Sequence, residues 1–235
     1  MPESIDQKIR VGMVLFPNLT QLDLTGPHEV LSFPPNIVVD MLWHRIEPVT
    51  SISGLALMPT ATFDDYDLPD VLFIPGGPGQ LQAMDDALLI EFVKRAGAEA
   101  KYITSVCTGS LVLAAAGLLI GKRATSHWGV VDQLALMGAE PVRERVVEDG
   151  NIITGAGVTA GIDFALTLVA RLVSEDAAKA IQLGIEYDPD PPFNSGSVET
   201  ADPQIIKMMA ERTAELTEKR REAAQRIGKE KLGLN

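Results

Sequence analysis

Tyr102-Ile103-Thr104-Ser105-Val106-Cys107-Thr108-Gly109-Ser110-Leu111-Val112-Leu113-Ala114-Ala115-Ala116 reads as a short apolar strand passing directly into an alanine- and leucine-rich helix. The only cysteine of the 235 residues stands at the turn between them. A strand that hands over to a helix in this way is the repeating unit of α/β folds. Such a turn lifts the side chain at its apex out of the sheet and aims it at the first N–H groups of the helix, where an anion is favoured. A thiol so placed is expected to ionise below the ~8.5 of a free cysteine and to act as a nucleophile without a metal. The competing reading is a buried, inert cysteine, the commoner fate of a lone one.

Working outward, strand-like and helix-like segments alternate, which predicts a mostly parallel sheet with helices on both faces. Arg10 to Phe16 and Val38 to Ile46 read as strands, with a helix over Gly26 to Phe33 between them. Val49 to Thr62 reads as extended chain with a hairpin around Ser53-Gly54, and Val71 to Ile74 as a buried strand ending in Pro75-Gly76-Gly77-Pro78-Gly79. Asp85 to Ala98 reads as a helix, Ala124 to Ser126 as a short strand, and Asp149-Gly150 as a two-residue hairpin turn. Ala160 to Val173 carries an apolar stripe at helical spacing, and Ser174 caps the helix that runs towards Leu183. Residues 1–187 thus read as one α/β domain. Asp188-Pro189-Asp190-Pro191-Pro192 cannot be regular helix or central strand, so residues 188–235 read as an arm followed by a charged helix from Pro203 to Lys231 that frays from Gly228. That arm and helix pack either on the same domain or on a second copy.

Composition narrows the class. Hydrophobic residues make up 46% and charged residues 22%, ordinary values for a folded domain. The net charge of −12 argues against nucleic acid as the main partner. The basic cluster from Lys219 to Lys231 is interleaved with glutamates at i, i+4 spacing, Glu215 with Lys219 and Glu222 with Arg226, and reads as a solvated helix face. No apolar run reaches membrane-spanning length, and the polar start MPESIDQ lacks the order of a secretory signal. A cytoplasmic protein with a reduced thiol is expected.

Four further positions bear on chemistry. Asp23, between Leu22 and Leu24 and ahead of Gly26-Pro27, is either a partly buried carboxylate with a raised pKa or the cap of the helix beginning near Gly26. Gly76 and Gly77, at the carboxyl end of a strand, form either a tight turn or, with the N–H of Thr108, an oxyanion hole. His127 follows a later strand and is either near the site or a structural histidine beside Trp128. His28, His44 and His127 have no metal-ligand spacing, so no metal site is expected.

Asp23-Leu24-Thr25-Gly26-Pro27, Ile74-Pro75-Gly76-Gly77, Ser105-Val106-Cys107-Thr108-Gly109-Ser110, Ala124-Thr125-Ser126-His127-Trp128 and Thr159-Ala160-Gly161-Ile162-Asp163 together resemble the ThiJ/PfpI superfamily. Within it the chain resembles the bacterial isonitrile hydratases, from the first strand through the terminal helix. The resemblance implies a flavodoxin-like, class I glutamine amidotransferase-like three-layer sandwich and a homodimer. It also implies Cys107 as nucleophile, Asp23 as acid and base, and Thr108 as polar partner. The PfpI-type proteases carry histidine directly after the cysteine; here Thr108 occupies that place, which turns the reading away from proteolysis. The expected reaction is hydration of a small, uncharged organic isocyanide to a formamide through a cysteine thioimidate, without a cofactor, in a pocket supplied by leucine and isoleucine. Three other readings stand beside it: a ligand-sensing module, a redox or stress-response protein, and a thiol-dependent hydrolase. The single helix after Pro203 is too short for the paired helix-turn-helix that a regulator would append.

Overall fold

Lys8 to Leu234 are described by the computed structural model; the polar start, Met1 to Gln7, lies outside the described residues. Strand β1 (Ile9–Val14) leads into helix α1 (Gln21–Leu31) and strand β2 (Ile37–Trp43). Three two-residue strands follow, β3 (Val49–Thr50), β4 (Ala56–Leu57) and β5 (Ala61–Thr62), and then β6 (Val71–Ile74), α2 (Gln80–Ala83) and α3 (Ala87–Glu99). The cysteine turn joins β7 (Tyr102–Val106) to α4 (Gly109–Ala115). Beyond it lie β8 (Arg123–Ala124), a 3₁₀ helix (Val131–Met137), β9 (Glu140–Pro141) and the hairpin β10 (Val146–Asp149) and β11 (Ile152–Gly155). Helices α5 (Ala160–Leu172), α6 (Glu175–Gly184) and α7 (Pro203–Glu230) complete the chain.

Seven strands form one sheet in the order β10-β11-β7-β6-β1-β2-β5, parallel throughout except for β10 against β11. Strands β6 and β11 are buried at every position, as expected of strands covered on both faces. Helices α1, α5 and α6 pack together on one side, while α2, α3, α4, α7 and the 3₁₀ helix pack together on the other. The three-layer α/β sandwich is thus realised. No helix among the described residues is long and apolar enough to cross a membrane.

The order of the strands decides where a site can form. Strand β1 lies between β2 and β6, so the connections leaving β1 and β6 depart to opposite faces and open a crevice at their carboxyl ends. The segments after β1, β6 and β7, three neighbouring strands, carry Asp23, Gly76-Gly77 and Cys107 in turn.

Three local expectations change. Helix α1 begins at Gln21, five residues before the expected start, and contains Pro27; the missing proline N–H leaves only one carbonyl, that of Asp23, without its helical donor. The helix therefore survives the proline. Helix α7 does not fray from Gly228: that residue is buried and packs against the Leu136 carbonyl of the 3₁₀ helix. The basic cluster is not a uniformly solvated face. Lys219 does pair with Glu215 at 2.6 Å, but Arg226 reaches Asp85 at 2.7 Å instead of Glu222, and Arg220 is buried.

Candidate active site

Cys107 adopts φ 58°, a left-handed conformation that costs a side-chain-bearing residue energy and that marks a sharp strand-to-helix turn. Backbone bonds hold it there. Its N–H is shared between the carbonyls of Ala156 at 2.7 Å and Gly155 at 3.1 Å, and its carbonyl accepts the Ser126 hydroxyl at 2.9 Å. The residue is 4% exposed, so the thiol lies at the floor of the crevice.

Asp23 is fully buried on the first turn of α1. It does not cap the helix: Thr20 is the N-cap residue, and Asp23 Oδ2 instead accepts the Gly76 N–H at 3.0 Å. Its other oxygen, Oδ1, has no conventional donor, and the carboxylate interacts with the Cys107 thiol. Burial raises the Asp23 pKa to about 7, against the opposing pull of the thiol and the Gly76 N–H.

The thiol behaves differently from the sequence-based expectation. Burial and the adjacent Asp23 carboxylate push its pKa well above that of a free cysteine, and the Thr108 N–H offsets this only in part. Cys107 is therefore a thiol at rest. The helix terminus alone does not ionise it, because desolvation in a closed site outweighs a partial dipole. The Cys107 thiol and the Asp23 carboxyl are in contact, so the two groups titrate as a pair.

Gly76 and Gly77 are brought to the cysteine, but not as a vacant oxyanion hole. The Gly76 N–H is engaged by Asp23, and the Gly77 N–H donates to Thr108 Oγ1 at 2.9 Å. What the glycines provide is proximity. A Cβ on Gly76 would come within 2.5 Å of Thr108 N, 2.7 Å of Asp23 Oδ2 and 2.8 Å of Cys107 Cβ. Gly77, at φ 132°, lies directly against the Thr20 backbone, which only glycine permits. Thr108 returns its hydroxyl to the Gly77 carbonyl at 3.2 Å, so its side chain fastens the two turns while its N–H faces the sulfur.

His127 is neighbour rather than partner. Its Nδ1 accepts the Gly129 N–H at 3.3 Å, its ring lies 5.5 Å from Trp128, and burial lowers its pKa. It lines a cavity of about 430 Å³ together with Trp128, Val131, Val158 and residues Gly196 to Glu199 of the arm. Among the described residues no leucine or isoleucine lines this cavity; valine, tryptophan and polar groups do. Ser126 and Ala156, which grip the Cys107 backbone, belong to the same lining, so the cavity abuts the cysteine turn.

Sequence reasoning missed two residues of this neighbourhood, Arg220 and Gln80. Arg220 of α7 donates from Nε to Gln80 Oε1 at 2.8 Å and from Nη2 to the Gly77 carbonyl at 3.1 Å, beneath the glycine turn. The available signal was spacing: Arg220 shares a helical stripe with Ala224 and Ile227, both fully buried, and a charged residue on such a stripe points inward.

The DJ-1/PfpI family model matches residues 9–171. The chain is 50% identical to an isonitrile hydratase of Pseudomonas putida over 93% of its own length and 96% of that protein's. It is 30% identical to an HTH-type transcriptional regulator of Pseudomonas aeruginosa over 67% of its length, which spans about half, 49%, of the regulator. Among solved structures, a ThiJ/PfpI family protein from Pseudomonas syringae superposes with a TM-score of 0.91 at 48% identity, covering 92% of this chain and 90% of that one.

Proposed function

The chain belongs to the DJ-1/PfpI family, and from that premise we propose that it is an isonitrile hydratase, adding water to R–N≡C to give the N-substituted formamide. One observation carries the reading: a buried carboxylate whose pKa burial raises to about 7 lies against the buried Cys107 thiol, a proton carrier beside a nucleophile. The terminal carbon of an isocyanide must gain a nucleophile and a proton together. The pair supplies both.

In the first half, Asp23 accepts the Cys107 proton as sulfur bonds to the terminal carbon, then returns it to that carbon, giving the thioimidate R–N=CH–S–Cys107. Water next adds to this carbon; Asp23 takes a proton from the water and delivers it to the nitrogen, giving R–NH–CH(OH)–S–Cys107 and leaving Asp23 ionised again. The carbon–sulfur bond then breaks, the hydroxyl proton passes by way of Asp23 to the leaving sulfur, and R–NH–CHO departs. Atoms balance without redox equivalents or a cofactor. Thr108 and the two glycines hold the acid and the nucleophile in register, and the cavity beside His127 and Trp128 accepts an uncharged R group. Work in the cytoplasm as a homodimer completes the proposal. For the second copy we propose the exposed apolar residues Leu22 of α1 and Ile52, Leu55 and Met58 of the β3–β4 segment, which bonds to the chain just ahead of α1.

The test is turnover of cyclohexyl isocyanide followed by formamide formation, with Cys107→Ala and Asp23→Asn alongside. Wild type turns over, Cys107→Ala is inactive, and Asp23→Asn loses about 10²–10⁴-fold. Binding without turnover would move the chain to the ligand-sensing reading, which the match to a regulator favours.

A further inference from the structure

A charged side chain sits under the glycine turn with no carboxylate paired to it among the described residues. Arg220 is 7% exposed, and its hydrogen-bond acceptors are two neutral oxygens, the Gly77 carbonyl and Gln80 Oε1. Among the described residues it enters no ion pair, whereas its neighbours on α7, Lys219, Arg221 and Arg226, each pair with an acid at the surface. A buried, unpaired guanidinium is costly for stability, because its hydration is lost and no opposite charge repays it. A fixed cation this deep stabilises an anion generated within its reach.

The groups that face it identify the anion. The titratable or charged side chains around Cys107 are Asp23 from α1 and Arg220 from α7, and His127 from the segment after β8 also lies within reach of the Arg220 charge. His127 is held neutral by burial, with the Arg220 charge acting in the same direction. Asp23 favours the protonated thiol. Arg220 is thus the one fixed positive charge set against Asp23, and it also holds the carbonyl of the residue whose N–H is bonded to Thr108.

We infer that Arg220 is a positioning residue for the nucleophile: through the Gly77 carbonyl it fixes the glycine turn against Thr108, and by its charge it stabilises the thiolate of Cys107 when the proton moves to Asp23. Helix α7, outside the family-matched residues 9–171, then carries part of the nucleophile's electrostatics. The inference rests on Cys107 being the nucleophile but not on the identity of the electrophile.

The experiment is the pH dependence of Cys107 alkylation by iodoacetamide, read by intact mass, in wild type, Arg220→Gln, Arg220→Lys and Gln80→Glu. Arg220→Gln slows alkylation at pH 7.5 by about tenfold and moves the profile to higher pH, while Arg220→Lys, which keeps the charge, restores most of the rate. Gln80→Glu leaves the arginine in place but gives it a counter-charge, and shifts the profile in the same direction as Arg220→Gln. Because it retains Arg220, it decides the matter if Arg220→Gln does not fold. Unchanged profiles in Gln80→Glu and in folded Arg220→Gln overturn the inference, as does a loss in Arg220→Lys equal to that in Arg220→Gln. The readout is alkylation, so failure here leaves isocyanide turnover untouched, and absence of turnover leaves the alkylation result standing.

Discussion

Gly76 is the residue at which the site is least able to change. Its missing side chain is what allows Asp23, Thr108 and Cys107 to meet, since a methyl group there would press on backbone and on the acid itself. Gly76→Ala is expected to lose nearly all activity and about 1–3 kcal/mol of stability, measurable by denaturant titration. Asp23 makes a second residue-scale prediction. Its folded pKa, about 7, lies above the ordinary carboxylate value of 3.8, so between these limits the folded state binds more protons than the unfolded one. Its contribution is fully present below about pH 4 and is lost as the pH rises through about 7. Asp23→Asn removes that loss: the variant is expected to be more stable than wild type at pH 8, by up to about 4 kcal/mol, with the advantage vanishing towards pH 4. Denaturation midpoints at pH 4, 6 and 8 check the sign; an equal difference at all three pH values would contradict the burial account.

At the scale of elements, glycines distinguish soft contacts from hard ones. In α3, a Cβ on Gly97 would meet only the end of the Leu118 side chain, whereas one on Gly228 in α7 would run into the Leu136 carbonyl. Gly97→Ala should therefore stay within about 1 kcal/mol of wild type, the helix-propensity gain offsetting a small shift of Leu118. Gly228→Ala should cost several times more and loosen α7 from the 3₁₀ helix, seen as faster amide exchange along both. Element identity was legible in strand β6, a continuous apolar run, in β7, a short run rich in β-branched residues that passes straight into a helix, and in the β10–β11 hairpin with its Asp-Gly turn. Helix α1 was misplaced because Gly26-Pro27 reads as a start signal, and only its packing shows otherwise. Gly161 of α5 lets Pro27 approach to near contact, and that interface supports a helix interrupted by proline.

For the whole molecule, the crevice follows from the sheet. Adjacent strands β7, β6 and β1 end at the same edge, so residues 84 positions apart, Asp23 and Cys107, arrive in contact without any local signal linking them. The exposed apolar face of Leu22, Ile52, Leu55 and Met58 belongs to this scale too. Sedimentation is expected to give about twice the 25.3 kDa chain mass, and Ile52→Glu with Met58→Glu to halve it; a wild-type monomer at tens of micromolar would remove the dimer from the proposal. The sequence by itself determined the α/β class and the strand-to-helix turn that carries the lone cysteine, because these depend on periodicity and on residues adjacent in the chain; it left Asp23 open between a helix cap and a carboxylate of raised pKa. Tertiary structure alone decided the upward shift of the thiol pKa, the engaged state of the glycine N–H groups and the partners that Arg220 meets. Each of these depends on desolvation and on partners from distant segments, which no local pattern encodes.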